Sequence, residues 1–313
     1  MYSAFRLTTL GLILLSLVLV RPAVAADIAV LKSKSLPPYN DAVIAFRTNC
    51  SGKYTDLDMD LNQAKGKAMV DEINQEKPAL VFAVGMQAAK IARANVDKSI
   101  PVVFAMVLNP EREDLKAENI TGISLEIPVD VQLAALKSIV PKAKKIGVIY
   151  NPKKMADLVA SANEVASKRN LQIIASKVDS PDDTPRALRA FSDGIDAFWL
   201  IPDPTVVTPQ AFRAILEFSQ KSNVPFFAYN EAFVRAGALL SLGPNAESIG
   251  AQACQVAKRI LNGESPKNIP IATPKGLELF LNMKTSEQLG LTSIAANAMS
   301  FSAKEGVKIN VTQ

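Results

Sequence analysis

Apolar and polar positions along the chain alternate between two kinds of segment. Short runs that are almost wholly apolar, such as Leu80–Val84, Pro101–Leu108 and Lys145–Tyr150, are separated by longer stretches in which apolar residues recur at helical spacing. Continuous apolar runs of this length predict strands buried on both faces, and intervening helices predict a parallel sheet covered on both sides. The first array reads as strands at Ile28–Leu31, Tyr54–Met59, Leu80–Val84 and Pro101–Leu108, with helices from near Asn40, over Gln63–Gln75 and over Gln87–Ala94. After Ile120–Leu125 the alternation restarts. Helices are predicted over Val129–Val140, Asp157–Arg169, Pro185–Phe191 and Pro209–Lys221, and strands over Lys145–Tyr150, Leu171–Lys177, Ala197–Ile201 and Pro225–Tyr229. Two successive arrays predict an α/β fold of two doubly wound, parallel-sheet lobes with a crevice between them.

A later segment returns toward the first array. Ala236–Gly243 is strand-like and ends on glycine, and Ala246–Leu261 places Ile249, Ala253, Val256 and Ile260 at helical spacing. Asn245 suits the start of that helix and Gly263 its end. Ile269–Ile271 and Leu277–Leu281 read as extended, whereas the residues from Ser293 have weak periodicity and receive no element. With no low-complexity linker in the chain, the strands themselves must join the lobes.

The 313 residues, 49% hydrophobic and 21% charged, suit two such lobes better than one small core. Residues 1–25 read as a signal peptide: Arg6, an apolar stretch over Leu10–Val20, and the small-x-small sequence Ala23-Val24-Ala25. Cleavage near Ala25 would send the protein to the periplasm or otherwise outside the cell. The 35 basic and 30 acidic residues give +5, and losing Arg6 and Arg21 with the leader leaves +3. The clusters Lys142–Lys145 and Lys153-Lys154 read as solvated surface and form no basic stripe, which argues against a nucleic-acid partner. In an oxidising compartment Cys50 and Cys254 are either a disulfide pair or two buried thiols, and both readings stand.

The missing residues restrict the chemistry. The chain has no histidine, which removes Ser-His-Asp and Cys-His catalysis and most transition-metal sites. It also lacks a P-loop, a dinucleotide fingerprint and a nucleophile elbow. Asp58 and Asp60 read as a solvated pair. No enzyme activity, cofactor or metal is expected. In open α/β sheets ligands bind beyond the carboxyl ends of the strands. The residues there are Ser33, Gly85, Met86, Gln87 and Asn109 from the first array, and Tyr150, Asn151, Asp203, Thr205, Tyr229, Asn230 and Glu231 from the second. Taken singly, Tyr150-Asn151-Pro152, Pro202-Asp203-Pro204 and Asn109-Pro110 are as well explained by turns and helix caps. Their recurrence at equivalent strand ends favours a ligand site. The helix start after Gly85 suits an anion, Tyr150, Tyr229 or Phe227 an apolar ligand body, and Asp203 or Glu231 a cation.

Several words match a known family in order along nearly the whole mature chain. They include Val81-Phe-Ala-Val-Gly85, Ile100-Pro-Val-Val-Phe104, Asn119-Ile-Thr-Gly122, Lys145-Ile-Gly-Val-Ile-Tyr-Asn-Pro152 and Phe198-Trp-Leu-Ile-Pro-Asp203. Ala236-Gly-Ala-Leu239, Ile260-Leu-Asn-Gly263, Leu281-Asn-Met-Lys284 and Leu289-Gly-Leu-Thr292 continue the series. The chain resembles the substrate-binding proteins of ABC transporters, in the branch that includes binders of tryptophan and other aromatic amino acids. That resemblance implies a type I periplasmic-binding fold, three crossover strands and lobes that close over a ligand. Family members usually carry Gly-Thr-Pro where this chain has Gly85-Met86-Gln87, and Asp-Pro where it has Asn109-Pro110.

The expected boundaries are residues 26–123 with about 243–268 for lobe one, and about 124–242 with about 269–292 for lobe two; residues 293–313 remain unplaced. The expected function is capture of a small polar or amino-acid-like ligand for delivery to an ABC permease of the inner membrane by a monomer. A ligand sensor signalling to a membrane partner is the alternative.

Overall fold

A computed structural model describes residues 26–312 of the chain; the expected signal peptide lies outside the described residues. The first array runs β1 (Ala26–Lys32), α1 (Pro37–Asn49), β2 (Gly52–Asp58), α2 (Gln63–Glu76), β3 (Leu80–Val84), α3 (Met86–Asn95), β4 (Val102–Val107) and β5 (Ile120–Ser124). Its sheet is parallel, in the order β2-β1-β3-β4-β5. Alternate residues of the apolar runs serve opposite faces. Ile28, Val30, Leu80, Phe82 and Val84 pack under α1, while Ala29, Leu31, Val81 and Ala83 pack under α2 and α3. That double burial is why these strands read as continuous apolar runs.

The second array runs α4 (Val129–Ile139), β6 (Lys145–Tyr150), α5 (Pro152–Lys168), β7 (Gln172–Lys177), α6 (Thr184–Arg189), β8 (Ala197–Trp199), α7 (Pro209–Ser222), β9 (Phe226–Ala228), α8 (Glu231–Arg235) and β10 (Leu240–Pro244). The chain then forms α9 (Ala246–Leu261), β11 (Leu277–Asn282), α10 (Met283–Gln288), α11 (Ile294–Glu305) and β12 (Lys308–Thr312). The second sheet has the order β12-β11-β10-β9-β8-β6-β7. Its segment β7-β6-β8-β9-β10 repeats the order of the first sheet, and β11 closes it antiparallel to β10. Two sheets of the same winding, each with helices on both faces, make the α/β periplasmic-binding architecture.

Helix α9 packs in the first lobe, where Ile249, Ala253, Val256 and Ile260 join the core formed with α1. Contact between α1 and α9 is close enough that a Cβ at Gly250 would lie 2.0 Å from the Ala42 carbonyl oxygen, so only glycine fits there. A disulfide joins Cys50, at the end of α1, to Cys254 in α9, with Cα atoms 5.6 Å apart.

Several boundaries differ from the sequence expectation. Helix α5 begins at Pro152 rather than Asp157, because Asn151 caps it and proline suits the first helical position. Residues 236–239 form a turn through Gly237, at φ +117°, and the strand starts only at Leu240. The unplaced C-terminal stretch forms α11, ended by Gly306 at φ +66°, and β12, which pairs parallel with β11.

Candidate functional site

Three stretches carry the chain between the sheets: Leu125–Pro128 from β5 to α4, Asn245 from β10 to α9, and residues 269–276 from α9 to β11. The third runs beside β5, with Ala272 bridged to Ile123 and Ser124 N–H donating to the Ala272 carbonyl at 2.8 Å. Around these crossovers opens a cleft of about 690 Å³, within the usual range for small-molecule sites. Met106, Leu108 and Asn109 approach it from the end of β4, and Leu125, Glu126, Ile127 and Pro128 from the first crossover. Tyr229, Asn230 and Glu231 enter from the end of β9, Leu242, Gly243 and Pro244 from β10, and Glu278 and Phe280 from β11.

Of the residues singled out in the sequence, Asn109, Tyr229, Asn230 and Glu231 therefore line the cleft. The Asn109 backbone sits at φ +51°, a conformation that asparagine tolerates better than most residues. Tyr229 packs edge-on against Phe233, with ring centroids 5.1 Å apart. Burial pushes the Tyr229 hydroxyl up to about 12, so it remains protonated at any working pH. Asn230 caps α8 by accepting from Phe233 N–H at 3.4 Å, and Glu231 receives Arg235 Nε at 2.7 Å.

The other sequence-selected residues are not among those lining this cleft, and much of their polarity is used inside the chain. Ser33 is buried, and its Oγ accepts from Ala88 N–H at 2.8 Å, capping α3 from a neighbouring strand. Gly85 turns at φ +90° beneath Tyr39; a Cβ there would stand 2.6 Å from Tyr39 Cε2 and 2.7 Å from Ser33 Oγ. The helix start after Gly85, which suited an anion in sequence terms, is thus capped by Ser33 and roofed by Tyr39. Met86 packs on the core under α3, and Gln87 is half-buried beside it. Tyr150 belongs to the core shared by α4 and α5.

Asn151, Asp203 and Thr205 form a buried polar knot at the ends of β6 and β8. Asp203 Oδ2 accepts from Asn151 N–H at 2.5 Å and Oδ1 from Thr205 N–H at 2.8 Å. The Asn151 side-chain amide donates to Thr205 Oγ1 at 3.2 Å, while its Oδ1 caps α5. Lys154 Nζ also reaches Thr205 Oγ1, at 2.8 Å.

Two carboxylates of the cleft escaped the sequence reading. Glu126 lies in the first crossover, where Ser124 Oγ stands 3.5 Å from Oε2. Glu278 lies in β11 and receives the side-chain amides of Asn245, at 3.5 Å, and Asn310, at 3.3 Å. Burial raises both carboxyls above the ordinary glutamate value. The available signal for Glu278 was one acid inside the apolar run Leu277-Glu-Leu-Phe-Leu281; Glu126, in a connecting segment, had none.

A family model described as "ABC transporter substrate binding protein" matches residues 51–306. Among curated proteins, a tyrosine-binding protein of Clostridioides difficile is 25% identical over 243 residues, covering 75% of this chain and 70% of that one. Among solved structures, the ligand-free, open form of a substrate-binding protein with adhesive properties from Clostridium difficile superposes with a TM-score of 0.75 at 23% identity. It covers 92% of this chain and 100% of that one. An ABC domain from Streptococcus pneumonia in complex with L-Trp superposes at 0.59 with 22% identity, over 87% of this chain and 98% of that one. The family model and the two clostridial relatives are described as substrate-binding or tyrosine-binding proteins, and none of these descriptions names an enzyme.

Proposed function

The chain belongs to the ABC transporter substrate-binding protein family, and from that premise we propose that it captures a small polar or amino-acid-like solute between its lobes and delivers it to a membrane permease. The observation that carries this reading is the cleft of about 690 Å³, whose walls come from both sheets, from the first and third crossovers, and from Pro244 and Ala246 on either side of the second. A solute seated there touches both lobes at once, so its binding free energy favours the arrangement in which they close around it. The closed shape is then the form a permease can distinguish from the empty one.

Asn109, Tyr229, Asn230 and Glu231, with Glu126 and Glu278, are the residues assigned to the solute. Ser33, Gly85, Asn151, Asp203 and Thr205 serve as the scaffold that holds the strand ends. Similarity to proteins named for tyrosine and tryptophan supports a solute with an aromatic-sized body, and Leu108, Leu242 and Phe280 provide apolar wall for one. The protein acts after export, as a monomer. Among the described residues no helix is long and apolar enough to cross a membrane.

Native mass spectrometry of the protein without its leader tests the capture reading. A co-purified small molecule, together with a raised Tm in a screen of amino acids, amines and small anions, is the expected result, since a ligand that binds only the folded form stabilises it. An empty spectrum and no thermal shift across that screen would count against solute capture.

A further inference from the structure

The charges on the cleft wall are one-sided. Three glutamates, Glu126, Glu231 and Glu278, line it, and among the described residues no lysine or arginine does. Glu231 is already paired with Arg235. Glu126 and Glu278 make no ion pair among the described residues; their hydrogen-bond partners are a serine hydroxyl and two asparagine amides. Lys308 stands in register with Glu278 across β11 and β12 without forming an ion pair. Burial disfavours the charged form of both carboxyls, a cost that an incoming cation would relieve.

A ligand carboxylate finds no cationic side chain on the wall among the described residues, only the amides of Asn109 and Asn230 and the start of α4 at Pro128 and Val129. The start of α3 is capped by Ser33 and covered by Tyr39. The start of α9 opens near the cleft at Ala246, but its cap Asn245 is bonded to Glu278, which places a negative charge where an anion would have to sit. The rest of the wall is largely apolar, with Tyr229 and Phe280 offering aromatic faces. Aromatic faces attract cations as well as apolar bodies.

We propose that this cleft selects an organic cation: an amine on an apolar body of aromatic size, without a carboxylate, its charge received by Glu126 and Glu278. This inference rests on the reading of the cleft as the solute site. It separates the protein from relatives named for amino acids, whose ligands carry a carboxylate as well as an ammonium.

Isothermal titration calorimetry with matched probes tests it. Tyramine is compared with L-tyrosine and 4-hydroxyphenylacetate, and tryptamine with L-tryptophan and indole-3-acetate. The proposal expects each amine to bind at least about tenfold more tightly than its amino acid, and the acids not to bind. Glu126→Gln and Glu278→Gln should each weaken amine binding by about tenfold or more, while Glu305→Gln, outside the cleft, leaves it unchanged. Circular dichroism melting of each variant confirms that it folds. Amino acids binding as tightly as the amines, or glutamine variants that keep amine affinity, would overturn the cation assignment and leave solute capture standing. Failure of all six probes also overturns it; an empty native mass spectrum as well would take the capture reading down with it.

Discussion

At Asp203 one buried residue separates scaffold from ligand contact. It is completely buried, and both of its carboxylate oxygens accept backbone N–H groups, from Asn151 and Thr205. Replacing Asp203 with Asn turns one acceptor into a donor facing an N–H group, a mismatch worth about 1–3 kcal/mol. Urea unfolding should show that loss, while solute affinity in the folded variant stays within about twofold; a large fall in affinity with unchanged stability would place Asp203 at the ligand instead. Glu126 and Glu278 behave in the opposite way. Glu126 is influenced by Ser124, Arg112 and Glu111, and Glu278 by Asn245, Lys308, Asn310 and Glu231, yet burial leads in both and raises both. A glutamate raised in the folded state contributes stability below its unfolded value of about 4.3, and that contribution is lost as pH rises through the folded value. A bound cation reverses the balance by favouring the ionised carboxylates. Amine affinity should therefore weaken as pH falls through the same window above about 4.3, which calorimetry at a series of pH values reads directly; affinity that is flat there contradicts the pairing.

At the scale of elements, the strands were legible because both sides of each sheet are covered, and double burial writes a continuous apolar run. Short or locally determined features were not. Helix α8 has only five residues, too few for a helical period to show. The start of α5 was hidden because Asn151-Pro152 fits a turn as well as a cap, and packing decides between them. Asn109, Tyr229, Asn230 and Glu231 could be found as polar residues directly after apolar strands. Glu126 and Glu278 could not, because the crossovers that bring them together exist only once both sheets have formed. The disulfide between α1 and α9 joins positions separated by 204 residues. Removing a native bridge costs about 2–5 kcal/mol, partly by freeing a long loop in the unfolded chain. Cys50→Ser/Cys254→Ser should thus lower Tm by roughly 5–15 °C; an unchanged Tm, with the bridge confirmed intact in the parent, would show that the helix contact alone holds this face.

At the scale of the whole molecule, the two lobes repeat one winding and are tied by three crossovers beside the cleft. Away from the crossovers, Arg112 reaches from the segment after β4 to Asp157 on α5, at 3.1 Å. That pair is exposed, and exposed pairs contribute little, about 0–1 kcal/mol, so it offers slight resistance to a change in the angle between lobes. A cleft at the crossovers, with walls from both sides, is the arrangement in which a small solute can govern that angle. Small-angle X-ray scattering, with and without whichever matched probe gives the largest thermal shift, tests solute capture most directly. A smaller radius of gyration at saturation is the predicted result, and a profile unchanged by a bound solute would contradict closure of the lobes around it.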